Sequence, residues 1–411
     1  MLFYRLLLSL LTPLIILALS VRVLRKQERF IDLLQRLGMW RNLPRGAVVW
    51  IHGASNGELT AARPIIAELA ERDPSSTLLI TCNTISARKM VLSWGLPRTD
   101  ARLAPLDLRH RYRGIMTRMD LQKFILLEAD HWPNRILCAR KLNIPLALVG
   151  GRISQKSANS WSRFSRLAAQ MFSSFDLISA QDDSSEKRLR DLGASQAAFC
   201  PQIALKSLYH GDSSRALDHE QRRLFWLAAS THEGEDEVLL RTAAEAQKHI
   251  SGLQMILAPR HPKRAPDILK IAKSLDLKTL QRSEGHDLEG TFDVFLADTL
   301  GEMGKWYEAS GVCFVAGSLI AKGGHTPYEP AYYDCALLHG PFLENFAEPY
   351  ANLQNAKGAK LCETEQEICA ALIELQSKTN AETMRANARK ALAATQNVTP
   401  VLDALDALAK T

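Results

Sequence analysis

The stretch 48–69 constrains the fold more than any other part of the chain. It opens with the apolar run 48–51, which is typical of a strand buried on both faces. Gly53 and Gly57 then allow a turn in which the backbone can approach a ligand closely. From Leu59 onward the apolar residues recur at helical spacing. A buried strand that passes through a glycine turn into a helix predicts an α/β fold with a parallel sheet.

Glu58 lies at this transition from strand to helix, which is the usual place for chemistry in an open α/β sheet. A carboxylate there experiences a helix N-terminus, which lowers its pKa, and a partly dry cleft, which raises it. Two interpretations stay open at this point. Glu58 is either a reacting group or a residue that only caps the helix.

Strand-like runs and helical patterns continue to alternate along the 411 residues in two series, and the pattern dissolves between them around 201–218. This alternation and the length of the chain predict two Rossmann-like domains with a ligand in the cleft between them. The strands are predicted at 48–51, 78–81, 123–127, 145–149 and 177–180, and then at 224–228, 254–258, 292–296 and 312–315. From about Thr364 the chain is predicted to be helical, and Thr364 and Glu367 have the spacing of a capping box.

The segment 6–21 is almost wholly apolar, and four basic residues follow it at 22, 25, 26 and 29. This pattern predicts a membrane anchor with the rest of the chain on the cytoplasmic side. The run is slightly shorter than the roughly 20 residues that span a bilayer comfortably. It therefore either spans the membrane or lies in one leaflet, and a helix of a soluble core is the remaining alternative.

Net charge and cysteine content do not identify a single function. The formal net charge of +7 favours an anionic partner, namely nucleic acid, phosphosugar, nucleotide or acidic lipid, without choosing among them. The seven cysteines are scattered and form no CxxC pair or zinc spacing. Reduced thiols in the cytoplasm are the expectation.

Six loops, most of them at predicted strand ends, carry polar and glycine-rich motifs. They are His-Gly-Ala-Ser-Asn-Gly-Glu at 52–58, Glu-Ala-Asp-His-Trp-Pro-Asn at 128–134, Ala-Ser-Thr-His-Glu-Gly at 229–234, Pro-Arg-His-Pro at 259–262, Asp-Thr-Leu-Gly-Glu-Met at 298–303 and Lys-Gly-Gly-His-Thr-Pro-Tyr-Glu-Pro at 322–330. In this order the motifs resemble those of the 3-deoxy-D-manno-octulosonic acid (Kdo) transferases of lipopolysaccharide assembly. The resemblance covers almost the whole chain.

The resemblance implies a GT-B glycosyltransferase with CMP-Kdo as donor and a lipid A precursor as acceptor, at the cytoplasmic face of the inner membrane and without a nucleic-acid partner. The implied domains are a membrane anchor with its basic flank at 1–30, an acceptor domain at 31–205, a linker at 206–218 and a donor domain with C-terminal helices at 219–411.

The resemblance also implies roles for single residues. Glu58 is the implied general base, which takes a proton from the acceptor hydroxyl. Glu128 is implied to support the acceptor or an oxocarbenium-like transition state. Lys206 is implied to receive the charge that develops on the departing phosphate, although by composition alone it reads as an exposed linker lysine.

The donor residues implied by the resemblance lie in the second half of the chain. Thr326 is expected to cap a helix that starts at Pro327, whose N-terminus suits a phosphate. Arg260 is expected at the nucleotide, and Glu329 is expected to accept from ribose hydroxyls. No metal and no cofactor is expected, because no Asp-x-Asp motif follows a predicted strand. The implied donor-binding residues are Pro259, Arg260, Gly301, Glu302, Met303, Thr326, Pro327, Tyr328 and Glu329.

Two other functions remain open from the sequence. One is a GT-B glycosyltransferase that uses another nucleotide sugar on a membrane lipid acceptor. The other is a non-enzymatic protein that binds acidic glycolipid at a membrane surface through basic patches.

Overall fold

Two separate parallel sheets organise the chain. The computed structural model describes residues 2–208, 219–393 and 397–408. By their contacts these residues form two units, the first comprising 2–208 with 397–408 and the second comprising 219–393.

The sheet of the first unit has six parallel strands among the described residues. They are β1 (Ala47–His52), β2 (Thr77–Cys82), β3 (Thr99–Leu103), β4 (Asp120–Leu127), β5 (Leu146–Gly151) and β6 (Leu177–Ala180). Their order across the sheet is β3-β2-β1-β4-β5-β6. The chain therefore winds outward from β1 in one direction and from β4 in the other. The crevice beyond the carboxyl ends of these two neighbours is where such sheets bind ligands.

The sheet of the second unit has seven parallel strands in the described part of the chain. They are β7 (Phe225–Thr231), β8 (Gln254–Pro259), β9 (Thr279–Gln281), β10 (Val294–Leu296), β11 (Val312–Val315), β12 (Ala336–His339) and β13 (Ala359–Leu361). The order is β13-β12-β11-β7-β8-β10-β9, so that winding reverses between β7 and β11. Each unit thus has one reversal point of the same kind.

Helices cover both sheets and connect their strands. They are α1 (Leu2–Leu24), α2 (Phe30–Arg36), α3 (Asn56–Arg72), α4 (Ile85–Ser93), α5 (Arg109–Met116), α6 (Pro133–Lys141), α7 (Gln155–Ser162), α8 (Ser165–Phe172), α9 (Asp183–Asp191), α10 (His219–Arg222), α11 (Asp236–His249), α12 (Ala265–Ser274), α13 (Met303–Ala309), α14 (Tyr328–Tyr332), α15 (Ala347–Asn355), α16 (Glu365–Glu374), α17 (Lys378–Leu392) and α18 (Thr399–Ala407). Short 3₁₀ helices lie at Gln196–Ala198, Leu205–Leu208, Pro262–Arg264 and Arg282–Glu284.

Strand β1 is buried on both faces, as its apolar run predicts. Val48 and Trp50 belong to the hydrophobic core on one side of the sheet, whereas Val49 and Ile51 belong to the core on the other side. Because successive side chains of a strand point to opposite faces, a strand between two helical layers needs apolar residues at every position. The second unit has its own core around Trp226, which lies in β7.

The predicted α/β class and the nine predicted strands are confirmed, and the predicted capping box is present at the start of α16. Four further strands were not predicted, namely β3, β9, β12 and β13. Their sequences are three to five residues long, and three of them include charged or amide side chains. They are strands because neighbouring strands pair with them, a tertiary effect that a local pattern does not contain.

The structure corrects the predicted domain boundary at the C-terminal end. Residues 397–408 were assigned to the second domain but belong to the first unit, because Val401, Leu402 and Leu405 of α18 join the core that contains Val49. The Lys123 ammonium also donates to the Leu405 carbonyl at 2.6 Å.

The structure also corrects the start of the predicted linker 206–218. Lys206 belongs to the 3₁₀ helix Leu205–Leu208 of the first unit, and the rest of the predicted linker from 209 lies outside the described residues. All seven cysteines carry free thiols.

Helix α1 contains the segment Tyr4–Leu24, which is long and apolar enough to cross a membrane by length and composition. Only 6% of its most apolar stretch is buried within the protein, which distinguishes it from a core helix. This is consistent with the predicted membrane association.

Candidate active site

The reversal point of the first sheet places two acidic residues at the carboxyl ends of neighbouring strands. His52 at the end of β1 pairs with Leu126 near the end of β4. The chain leaves β1 through a short turn, in which Ser55 caps α3, and Glu58 lies in the first turn of that helix. Glu128 follows β4 directly. The two carboxylates are close enough for the charge of Glu128 to act on Glu58.

The Glu58 carboxylate is partly buried and held by the turn that precedes it. Oε2 accepts from the Ala54 amide at 2.7 Å, Oε1 accepts from the Ser55 hydroxyl at 3.3 Å, and the Glu58 amide donates back to Ser55 Oγ at 3.3 Å. Glu58 therefore makes hydrogen bonds within the turn that caps α3. Capping orients the carboxylate and leaves it available for other chemistry.

The electrostatic surroundings of Glu58 differ from those of an ordinary capping residue. Burial, and then the charge of Glu128, raise the pKa of Glu58 from 4.5 to about 7, and Asp130 adds to this. The hydrogen bond from Ala54 opposes the shift without cancelling it. A carboxyl group with a pKa near the working pH is well suited to general base catalysis, because it is both available and basic.

Glu128 has a backbone conformation that its residue type rarely adopts. Its φ is +49°, in the left-handed region, which costs roughly 1–3 kcal/mol for a residue other than glycine. Its amide donates to the Val149 carbonyl at 3.1 Å, and its carbonyl accepts from the Arg152 amide at 3.1 Å. Both peptide groups of Glu128 are therefore held by the end of β5 and the residue that follows it. The side chain is buried. Strain of this kind persists where the surrounding structure imposes it, typically at functional sites.

Asp130 connects the two strand ends. Its carboxylate accepts from His52 Nε2 at 2.7 Å, Trp132 Nε1 at 2.6 Å and Asn83 Nδ2 at 3.2 Å, and it lies 3.1 Å from Arg135 Nη2. Burial alone would raise the pKa of Asp130, but the hydrogen bond from His52 and the charge of Arg135 lower it well below the usual range. Asp130 is therefore an ionised, acceptor-only group that fixes its neighbours.

His52 is neutral in this arrangement. Burial and the nearby Arg135 charge lower its pKa to about 4, so its contact with Asp130 is a hydrogen bond rather than an ion pair. Since the ionised Asp130 can only accept, Nε2 carries the proton and Nδ1 accepts from the Thr81 hydroxyl at 2.9 Å. His52 and Asp130 both lie in motifs of the sequence, but their pairing could not be predicted, because they are 78 residues apart.

Lys206 lies in the first unit, on an element that contacts α3. The 3₁₀ helix that carries it packs against α3, the helix whose first turn contains Glu58. Its neighbour Leu205 fits so tightly over Gly150 that a Cβ there would come within 2.6 Å of Leu205 Cγ. Lys206 is thus a half-buried residue on a fixed turn, and the interpretation as an exposed linker lysine is wrong.

The reversal point of the second sheet is organised by Glu235, which the sequence analysis did not single out. Its buried carboxylate accepts from the amides of His232 at 2.9 Å, Gly317 at 2.8 Å and both Ser318 and Leu319 at 3.1 Å. Burial raises its pKa in spite of these hydrogen bonds. Glu235 therefore joins the loop after β7 to the loop after β11.

Two histidines meet above this junction. His232 Nε2 and His325 Nε2 are 3.0 Å apart, and the rings are stacked with centroids at 5.2 Å. Gly317 permits this contact, because a Cβ there would come within 2.9 Å of the His325 ring and φ is +71°. Both histidines lie in motifs quoted from the sequence, where a lone histidine gave no signal of the pairing.

The neighbours of His232 are cationic. Burial, followed by Lys322, His261, Arg260 and Arg264, lowers the pKa of His232. Basic side chains that lower the pKa of a neighbouring histidine create a positive potential, which favours a bound anion. The predicted donor residues Pro259 and Arg260 reach this junction, since the Arg260 amide donates to the Thr231 carbonyl at 3.0 Å at the end of β7.

The remaining predicted donor residues have clear structural positions. Thr326 Oγ accepts from the Tyr328 amide at 3.4 Å, but the helix begins at Tyr328, one residue later than predicted, and α14 has only five residues. Pro327 is its N-cap residue, and Glu329 lies in its first turn.

The segment 301–303 lies at the start of α13. Gly301 has φ of +90°, and Glu302 precedes the helix that begins with Met303. The Glu302 carboxylate accepts from Arg282 Nη2 at 2.7 Å.

Comparison with known proteins identifies the family. Residues 32–206 match the family described as 3-deoxy-D-manno-octulosonic-acid transferase (kdotransferase). The 3-deoxy-D-manno-octulosonic acid transferase of Haemophilus influenzae is 31% identical over 371 residues, which are 87% of this chain and 86% of that protein. This chain belongs to the Kdo transferase family.

A second Kdo transferase, from Bordetella pertussis, is 30% identical over 333 residues, 76% of either chain. Among solved structures, a UDP-GlcNAc 2-epimerase from Neisseria meningitidis bound to UDP-GlcNAc has a TM-score of 0.62 and 13% identity, covering 87% of this chain and 99% of that one. At this identity the likeness concerns the fold alone. The predicted GT-B fold and the predicted glycosyltransferase class are confirmed for this Kdo transferase.

Proposed function

We propose that this Kdo transferase moves Kdo from CMP-Kdo to a lipid A precursor of the lipid IVA type, at the cytoplasmic face of the inner membrane, with Glu58 as general base. The observation that carries the proposal is the Glu58 carboxylate at a sheet reversal point, with its pKa raised to about 7 by burial and by Glu128.

In the proposed step, ionised Glu58 takes the proton of a sugar hydroxyl on the acceptor as that oxygen attacks the anomeric carbon of Kdo. The bond from this carbon to the CMP phosphate breaks, and CMP leaves with the bonding electrons. Glu128 has two effects in this account. Its negative charge makes Glu58 more basic, and it stabilises the positive charge of an oxocarbenium-like transition state.

We place the donor in the second unit. The positive charges of Arg260 and Lys322 near His232 support this, because the CMP phosphate gains negative charge as it leaves. Arg264 lies in the same group and is paired with Asp236. Thr326 and the start of α14 would contact that phosphate, and Glu329 would accept from the ribose hydroxyls. Lys206 would supply a further positive charge to the leaving group.

We also propose that transfer needs no bound metal ion. Among the described residues, no group of three or more His, Cys, Asp and Glu side chains has a geometry that could hold one. The cations around His232 supply the charge that a metal ion would otherwise bring to the phosphate.

The proposal is tested by incubating the protein with lipid IVA and each of a panel of nucleotide sugars. The mass of the lipid product is then measured by mass spectrometry. CMP-Kdo should add Kdo to the lipid, and the Glu58→Gln protein is the matched control with the same fold. Addition of a different sugar, with none from CMP-Kdo, would reject the donor. Binding of the lipid without any transfer would reject the activity.

A further inference from the structure

Helix α1 has a continuous apolar stripe along one side. The exposed residues of this stripe recur every three or four positions over the whole helix, and they are Leu6, Leu7, Leu10, Leu11, Leu14, Leu17, Val21 and Leu24. The other side is at least partly covered, at Leu8, Thr12, Ile15 and Leu19. A helix with one covered side along its length lies against its own protein, whereas a helix surrounded by lipid has no such side.

The first turn of α1 bonds to the N-terminus of α6. The Tyr4 hydroxyl donates to the Asp107 carboxylate at 2.8 Å, and Arg5 Nε donates to Asn134 Oδ1 at 3.1 Å. Both acceptors are fixed, because Asp107 is buried and also accepts from the Asn134 and Arg135 amides at 2.8 and 2.9 Å. Asn134 ends the motif that begins with Glu128.

The last turn of α1 bonds to the same unit. Arg22 lies 2.8 Å from the carboxylate of Glu28, whose side chain is fully buried. Glu28 also accepts from Arg36 Nε at 3.1 Å, and Arg36 donates onward to the Asn83 carbonyl at 3.0 Å. Asn83 directly follows β2, so this end of α1 is linked to the edge of the first sheet.

These bonds conflict with a helix that crosses the bilayer. Tyr4 and Arg22 are about 27 Å apart along the helix axis, at 1.5 Å per residue. The hydrocarbon core of a bilayer is roughly 30 Å thick. A spanning helix would place its two ends on opposite sides of the membrane. In this structure both ends bond to one folded unit, which can lie on only one side.

Charged and aromatic groups continue the apolar stripe at both ends. Near the first turn, an apolar cavity of about 610 Å³ is lined by Tyr4, Leu7, Trp161, Phe164, Arg163 and Arg166, among others. Both arginines are exposed, and Phe164 is 56% exposed. Near the last turn, Arg25, Lys26 and Arg29 are exposed. Aromatic rings beside basic side chains suit the headgroup region of a membrane that contains anionic lipid.

We propose that α1 lies in the plane of one leaflet, with its leucine stripe among the acyl chains and its flanking arginines at anionic phospholipid headgroups, rather than crossing the bilayer. The first residues of the chain then lie on the same side of the membrane as the catalytic units. This inference rests on the membrane association in the proposed function, and the experiment below separates the two.

The test compares two otherwise identical proteins that carry an epitope tag behind a site-specific protease sequence, one tagged before Met1 and one after Thr411. Inverted inner-membrane vesicles and right-side-out spheroplasts are treated with the protease, and a detergent-treated sample verifies that each site can be cut. The proposal predicts cleavage of both tags in inverted vesicles and protection of both in spheroplasts.

Two results would overturn the inference. One leaves the proposed transferase function intact, and the other rejects the membrane association. Cleavage of the tag before Met1 in spheroplasts, with the tag after Thr411 cut only in inverted vesicles, would show a spanning helix and would leave the proposed transferase function intact. Recovery of the protein in the soluble fraction would reject the membrane association itself.

Discussion

The two sheet reversal points share a topology but have opposite electrostatics. In the first unit burial, and then the charges of Glu128 and Asp130, raise the pKa of Glu58 to about 7. In the second unit burial, and then basic neighbours, lower the pKa of His232. The same backbone arrangement therefore surrounds Glu58 with negative charge in one unit and His232 with positive charge in the other. The difference comes from a few side chains in the loops.

The proposed function places the proton transfer in the first unit and the departing phosphate in the second. Changes at Glu58 should therefore alter the rate of transfer with little effect on nucleotide binding, and changes at Arg260 should do the reverse.

Glu58→Gln should lower kcat by at least ~10²-fold, the low end of what a positioned base contributes, because the amide keeps the shape but cannot take a proton. CMP affinity should change little. The matched control is Glu71→Gln, at an exposed position of the same helix, which should keep full activity. Initial rates and CMP calorimetry measure both quantities. Near-normal turnover in a folded Glu58→Gln protein would reject the base.

Arg260→Ala should weaken CMP binding by about 1.5–3 kcal/mol, roughly 10- to 150-fold in Kd, since this is the range for a hydrogen bond to a charged group. Binding of the lipid acceptor should not change. Lys270→Ala, at an exposed position on α12, removes a positive charge from the same unit and serves as the control. Equal CMP affinity in the two variants, measured by calorimetry, would move the donor away from Arg260.

Gly317→Ala should destabilise the second unit by roughly 1–3 kcal/mol, because the added Cβ meets the His325 ring and φ is positive. Gly57→Ala in the first unit is the opposite case. It lies in α3 with no atom closer than 4.0 Å to the added Cβ, so it should stabilise slightly. Thermal unfolding followed by circular dichroism compares them. A similar shift in both variants would contradict the close packing at Gly317.

Removal of divalent ions should have the smallest effect. The basic side chains around His232 already offer positive charge to the phosphate. EDTA treatment should therefore change the transfer rate by less than about twofold. Loss of a catalytic metal ion would change it far more, because such an ion contributes several kcal/mol of charge stabilisation. The measurement is the initial rate before and after chelation, with added Mg²⁺ as the control. A large loss that Mg²⁺ restores would require a metal site.

Much of the first site could be predicted from the sequence because its parts are local. The run 48–51, the glycines and the helical spacing after Leu59 lie within about twenty residues, so the position of Glu58 follows from the pattern. The motifs in the second half were recognised for the same reason. The exact ends of the helices did not follow from the motifs, since α14 starts one residue later than predicted.

The parts that could not be predicted depend on contacts between distant residues. The hydrogen bond from His52 to Asp130 joins two strand ends, and the return of α18 to the first unit depends on Leu405 and its neighbours. The left-handed backbone of Glu128 is a further example, because a glutamate rarely adopts it and the residue type does not predict it. Each follows from tertiary structure that overrides or supplements the local preference.

The pH dependence of kcat/KM for Kdo transfer, in wild type and in Glu128→Gln, tests whether Glu58 is the base. Since the base must be ionised, the rate should fall tenfold per pH unit below about pH 7 and be level above it. Replacing Glu128 removes a charge that raises the pKa of Glu58, so the acid limb should move to lower pH. An acid limb near pH 4.5 in the wild type, or one that stays near pH 7 without Glu128, would contradict the account.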